Sequence, residues 1–347
     1  MLFSRSWSIL RCICTSLIVQ GLIFTEDDVM KSYKVLIISA LTAFSLNAIA
    51  QELPKVAITA IVEHPALDTI RKGIVDELAN QGFEDGKTIK IDYQSAQGST
   101  ATAAQIARKF VGDKAEIIIP ISTPSAQPVV AATKNIPVVY SAVTDPVAAK
   151  LVKSWEPTGT NVTGVSDHKA IEPQLELIHK LVPELKAVGY VFSAGEVNSA
   201  IVLKELQTEA AKANIKVVPV AVQRSADIGT AARSLAGKVQ AIYISEDNAV
   251  VSAYEALHKA ALEIKVPVIA ADRDTVKRGA LAAYAVNQYD IGVETGKVAA
   301  RVLKGEKVGS IPTHEVSKME LSVNTQTAKA YGITIPEALL KEAKETF

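Results

Sequence analysis

The run EIIIPISTPSAQPVVAATKNIPVVYSAVTDP, residues 116–146, decides the fold. Glu116–Ile121 is nearly all isoleucine. A short, continuously apolar, β-branched run reads as a strand covered on both faces. A short helix is expected to start near Ser125, and Pro137–Val143 reads as the next strand. Strand, helix and strand in so short a span make a parallel pair with a crossover. Each strand gives way to polar residues, Ser122-Thr123-Pro124-Ser125 after the first and Ser141 through Asp145-Pro146 after the second. In open parallel sheets ligands bind outside the carboxyl ends of the strands, so the same stretch that sets the fold also points to the site.

The pattern extends in both directions. Upstream, Val56–Val62 is a strand, and Pro65 suits a helix start because it has no amide proton to leave unsatisfied. Leu67, Ile70, Ile74 and Leu78 follow at helical spacing until Gly82, then a strand at Thr88–Tyr93 and a helix at Ala101–Val111. Downstream the scheme repeats. Strands are expected at Ala187–Phe192, Lys216–Val222, Val239–Ser245, Pro267–Ala271 and Ala280–Val286, with helices at Val197–Ala213, Asp227–Leu235 and Ala249–Glu263. A helix from Tyr289 follows, then a strand at Glu315–Val323 and two short helices. Two such series imply an α/β protein of two doubly wound parallel-sheet lobes joined by a hinge. The expected division is 51–166 with 287–309 as the N-terminal lobe and 167–286 with 310–347 as the C-terminal lobe. The first candidate hinge is the connection near Asn161–Asp167.

Ahead of the first strand, Met30–Ala50 has the order of a secretory signal peptide. Lys31 and Lys34 open it, Val35–Leu46 is apolar, and Ala48-Ile49-Ala50 is a small-x-small cleavage site. The apolar run is too short to span a membrane. Residues 1–29 then read as an upstream extension from a start codon placed too early. Position 51 is Gln, where a lipid-anchored exported protein needs Cys, so release into a Gram-negative periplasm is expected. Of the 37 basic and 37 acidic groups, four and three fall in the first 50 residues, so the remainder is close to neutral. Without a basic excess, nucleic acid is not an expected partner. Both cysteines, Cys12 and Cys14, precede the cleavage site, so neither a disulfide nor a zinc site is expected beyond it.

The strand-end loops hold the candidate chemistry. They carry Glu63-His64-Pro65, Thr123 and Ser125, Thr144 and Asp145, and Ser193 through Asn198-Ser199. They also carry Ser245-Glu246-Asp247-Asn248 and Asp272-Arg273-Asp274. Most of these are also ordinary N-cap residues, and for any single one capping outweighs ligand contact. The two roles coexist, because a helix N-terminus presents free amides to a carboxylate. Thr123 and Ser125 suit a carboxylate, and Asp247 or Glu63 an ammonium, with Asn198 and Asn248 as further candidate contacts. Tyr289 and Tyr254 are the nearest aromatic residues for stacking, weighed equally against plain helix packing. No P-loop, G-x-G-x-x-G or H-E-x-x-H occurs. Gly164-Val165-Ser166-Asp167-His168 has His where a nucleophile elbow needs Gly. An enzyme using Asp145, Asp247 or Asp272 therefore lacks a supporting constellation, and no cofactor or metal is called for. A sensing module for a membrane receptor is the alternative binding role.

The stretch IVEHPALDTIRKGIVDELANQGFEDGKTIKIDY, then ISTPSAQ, SAVTDPVAAKLV, NVTGVSD and ITIPEALL, resembles the substrate-binding proteins of ABC transporters. It is similar in particular to the subgroup associated with tryptophan and other aromatic amino acids. The resemblance runs in order across the chain beyond residue 51. It implies a bilobed type I periplasmic-binding fold that closes around one small ligand and delivers it to an ABC permease and its ATPase; a monomer is expected. Where the family often has paired aromatics, Asn287-Gln288-Tyr289 has one.

Overall fold

The computed structural model describes residues 52–347. The expected signal peptide, its expected cleavage before Gln51 and the two cysteines lie outside these residues. Leu53–Phe347 forms one compact unit built on two sheets.

The first sheet uses β1 (Lys55–Ala60), β2 (Lys90–Ser95), β3 (Ile117–Ile121), β4 (Val138–Tyr140), β5 (Val162–Ser166) and β11 (His314–Glu315), in the order β11-β5-β4-β3-β1-β2. Every pairing in it is parallel. Its crossover helices are α1 (Pro65–Asn80), α2 (Thr100–Gly112) and α3 (Thr123–Ala132). All five residues of β3 are buried, as the isoleucine run requires.

The second sheet uses β6 (Ala187–Ser193), β7 (Lys216–Val222), β8 (Ala241–Ile244), β9 (Val268–Ala270), β10 (Ala282–Val286), β12 (Met319–Val323) and β13 (Glu345–Thr346). Their order is β13-β12-β10-β9-β8-β6-β7. Only the β10–β12 pair is antiparallel. Alternate residues of β6 enter different cores. Val188 and Tyr190 pack on one face of the sheet, and Ala187 and Val191 on the other. Around this sheet lie α4 (Glu172–Leu181), α5 (Val197–Lys212), α6 (Ile228–Arg233), α7 (Asn248–Ser252), α8 (Tyr254–Glu263) and α9 (Arg273–Lys277).

After β10 the chain returns to the first lobe as α10 (Gln288–Leu303), which lies against α1. Glycines permit this approach. A Cβ on Gly73 would come 2.4 Å from the Tyr289 carbonyl oxygen, and one on Gly292 would come 2.1 Å from that of Ile70. The single strand expected over Glu315–Val323 is in fact two. β11 pairs with β5 in the first sheet and β12 with β10 in the second, so residues 316–318 cross between lobes. His314–Glu315 therefore extend the first sheet, although the sequence reading places 310–347 in the second lobe. The helix expected over Ala249–Glu263 is likewise two, α7 and α8, broken at Ala253. Two further short helices, α11 (Thr325–Tyr331) and α12 (Glu337–Glu342), close the chain, and Gly332 ends α11 at φ 67°. Among the described residues no helix is long and apolar enough to cross a membrane.

Candidate functional site

Eight strands send their carboxyl ends toward one cleft between the lobes. From the first lobe come His64 after β1, Ser122 and Thr123 after β3, and Ala142 and Thr144 after β4, while Asp167 follows β5 on the crossing to the second lobe. From the second come Asn198 after β6, Glu246 and Asn248 after β8, Asp272 after β9, and Gln288 after β10. Leu67, Ile70 and Val251 supply apolar wall. A second cavity shares Thr144, Asp167, Asn198 and Glu246 and adds Lys169, Tyr243, Ser245, Ile171, Val202 and Ala271.

Five cleft residues hold buried polar atoms with no partner in the protein: His64 Nε2, Ser122 Oγ, Thr123 Oγ1, Asp167 Oδ1 and Asn198 Oδ1. Buried polar atoms are nearly always bonded, so five around one cleft mark a place for a polar ligand. His64 Nδ1 accepts from Leu67 N at 3.4 Å and caps α1. Burial drives its pKa down to about 4, so the ring is neutral at pH 7. With Nδ1 accepting, the proton sits on Nε2, which is a neutral donor facing the cleft.

The backbone is strained at the same place. Ser122 has φ 76° and ψ 156°, a region nearly restricted to glycine, and Ala142 has φ 51°. Each such residue costs about 1–3 kcal/mol, and both line the cleft. The Ser122 turn holds its own side chain and the start of α3 at the cleft.

The second-lobe side is acidic. Asp167, Glu246 and Asp272 line the cleft, with Lys169 beside them. Glu246 pairs with the Lys169 ammonium and accepts from Gln288 Nε2 at 2.8 Å. Lys169 Nζ also donates to the Asp167 carbonyl oxygen at 3.1 Å. Burial opposes the charge on Lys169, but Glu246 and Asp167 outweigh it and hold its pKa above the usual range. Asp272 accepts from Thr275 N at 2.8 Å and Thr275 Oγ1 at 2.6 Å, while burial pushes its carboxyl upward.

Of the residues singled out from sequence, Thr123, Thr144, Asn198 and Asn248 line the cleft. Glu63 is exposed beside it. Ser125 is fully buried in the first turn of α3, its hydroxyl unpartnered, behind the lining residues. Asp145 Oδ1 accepts from Val147 N and Ala148 N, both at 2.9 Å, and so caps its own turn. Asp247 is enclosed and saturated. It accepts from Ser193 N at 2.6 Å, Ser193 Oγ at 3.0 Å, Ser199 Oγ at 2.7 Å and Val250 N at 2.9 Å. Its carboxylate caps α7 and has no lone pair directed at the cleft. Glu196 stands beside it, accepting from Asn248 N at 3.1 Å, Asn248 Nδ2 at 2.6 Å and Ala249 N at 3.1 Å. Burial first, and Asp247 second, raise its pKa to about 7.

Neither tyrosine lines the cleft. Tyr289 donates its hydroxyl to Asp76 at 2.8 Å on the α1 side, and its neighbour Gln288 takes the cleft position. Tyr254 is fully buried, stacked on His258. Ser166 Oγ donates to the Thr144 carbonyl oxygen at 3.1 Å and accepts from His168 N, a loop-fixing role. His64, Asp167, Glu246, Asp272 and Gln288 are the additional lining residues. The first four sit in loops that the strand-end rule already points to. The arrangement offers hydroxyls and a neutral imidazole from one lobe and carboxylates from the other. That suits binding of a dipolar small molecule, and among the described residues no cluster is placed to hold a metal ion.

Comparison with known proteins agrees. The family model "ABC transporter substrate binding protein" matches residues 55–347. A tyrosine-binding protein of Clostridioides difficile is 42% identical over 275 residues, covering 79% of this chain and 80% of the relative. The ABC domain from Streptococcus pneumonia, solved in complex with L-Trp, is 36% identical with a TM-score of 0.83, over 85% of this chain and 100% of that one. A ligand-free, open substrate-binding protein with adhesive properties from Clostridium difficile is 40% identical with a TM-score of 0.65, over 84% of this chain and 99% of that one. A protein with these two parallel-sheet lobes, this cleft and these relatives is a binding protein and not an enzyme, and the chain belongs to the ABC transporter substrate-binding protein family.

Proposed function

We propose that this protein captures a free aromatic α-amino acid, tryptophan or tyrosine, between its lobes and delivers it to an ABC permease. The observation that carries the reading is the opposite polarity of the two sides of the cleft. Ser122, Thr123, the His64 Nε2 proton and the N-terminus of α3 face it from the first lobe and suit a carboxylate. Asp167, with Glu246 and Asp272 near it, suits an ammonium. Leu67, Ile70 and Val251 offer apolar surface to a ring.

The relatives named for tyrosine and solved with L-Trp support the ligand class. The less identical L-Trp complex superimposes better than the more identical open form, which supports reading the present lobe arrangement as the closed one. The signal sequence at Met30–Ala50 supports export, and Gln51 supports a soluble periplasmic protein rather than a lipid-anchored one. A thermal-shift screen of L-amino acids, sugars, nucleosides and peptides tests the assignment. An aromatic amino acid at about 100 times its Kd should add roughly 2.7 kcal/mol. Stabilisation by sugars or nucleosides alone would overturn it.

A further inference from the structure

Two segments that carry the chain between the lobes meet on one carboxylate. Lys169 lies just beyond β5, on the first crossing into the second lobe. Gln288 opens α10, on the crossing back after β10. Glu246, at the end of β8, holds both. One oxygen accepts from Gln288 Nε2 at 2.8 Å, and the other pairs with Lys169 Nζ. The Lys169 side chain is only 5% exposed, so its charge depends on that partner. Gln288 is carried by a helix fixed to α1 through glycine contacts, so the bond reaches from the first lobe into the second.

The same carboxylate lines both cavities and stands with Asp167 and Asp272 on the acidic wall. Burial pushes the Glu246 and Asp272 carboxyls upward in spite of Lys169, so the wall is short of positive charge. A ligand ammonium at Asp167 supplies it, next to the carboxylate on which the two crossings converge.

We propose that Glu246 is the closure latch of this protein: a positioning residue that ties the two crossings together in the closed form and so couples ligand capture to lobe closure. The coupling to capture rests on the amino-acid reading above, whereas the latch itself rests on the crossings alone. A purely structural ion pair would set melting temperature and nothing else. A latch sets how long the closed form lasts, and so acts on dissociation more than on association.

The test uses wild type, Glu246→Gln and Gln288→Leu. The second variant leaves the Lys169–Glu246 pair intact and removes only the bond to α10. Stopped-flow kinetics with L-tryptophan and L-tyrosine give the rates, and small-angle X-ray scattering with and without ligand gives the lobe arrangement. The latch predicts at least about a tenfold faster dissociation in both variants, with association changed far less. It also predicts a larger radius of gyration than wild type under the same conditions. Variants that match wild type in dissociation rate and scattering would overturn it, whatever their melting temperatures. If wild type binds no amino acid, the functional reading fails, and the scattering comparison still decides the latch.

Discussion

Asp247 and Asp167 are the same side chain just past strand ends, and only their partners separate them. Four donors converge on Asp247, two of them from Ser193 and one from Ser199, residues about 50 positions away in the chain. Asp167 Oδ1 has none and lines the cleft. Sequence placed polar residues at the right strand ends, because a strand-to-helix switch is legible in hydrophobic patterning. It could not tell a cap from a ligand contact, since Ser, Thr and Asp serve both and the choice lies in long-range bonds. Tyr289 shows the same limit at finer grain. One residue on a helix turns the side chain by about 100°, enough to exchange the cleft for Asp76. These placements fix the outcome of two substitutions. Asp247→Ala orphans buried neutral donors, each at a cost of about 1–3 kcal/mol, and should destabilise the fold, seen as an early thermal melt. Its affinity for an amino acid should stay close to that of wild type. Asp167→Asn should do the reverse, melting normally and binding weakly by calorimetry. The opposite pattern would return the ammonium to Asp247.

Elements were the most legible level. Runs such as Ile117–Ile121 and Lys216–Val222 are strands by composition alone, and α1, α2 and α5 follow their apolar spacing. Misses came where tertiary bonds cut a uniform pattern. Glu196 and Asp247 both cap α7 and fix its start, and the chain turns again at Ala253 before α8. Val316-Ser317-Lys318 looks like continuous strand but is a crossing between sheets. The α1–α10 contact yields a test at this scale. In an exposed helix, Gly→Ala stabilises by about 1 kcal/mol. At Gly292 the new Cβ would lie 2.1 Å from the Ile70 carbonyl oxygen, so the two helices must part. Gly292→Ala should therefore lose about 1–3 kcal/mol in a denaturant melt. A variant more stable than wild type would show that the two helices do not depend on this approach.

At the scale of the whole molecule, three segments link the lobes: the one after β5, the one before α10, and residues 316–318 between β11 and β12. With the chain joined at these segments, lobe motion is a hinge, and the strand ends of both sheets face the space it opens and closes. We propose that this space recognises the charged main-chain groups of a free amino acid, with hydroxyls of the first lobe taking the carboxylate and the acids opposite them the ammonium. Titration calorimetry of L-tryptophan against N-acetyl-L-tryptophan and L-tryptophanamide tests it most directly, because each derivative removes one charge and keeps the ring. The free amino acid should bind tightly. Each derivative should lose at least about 30-fold, the low end of the cost of breaking a buried charged hydrogen bond. Equal binding of all three would contradict it.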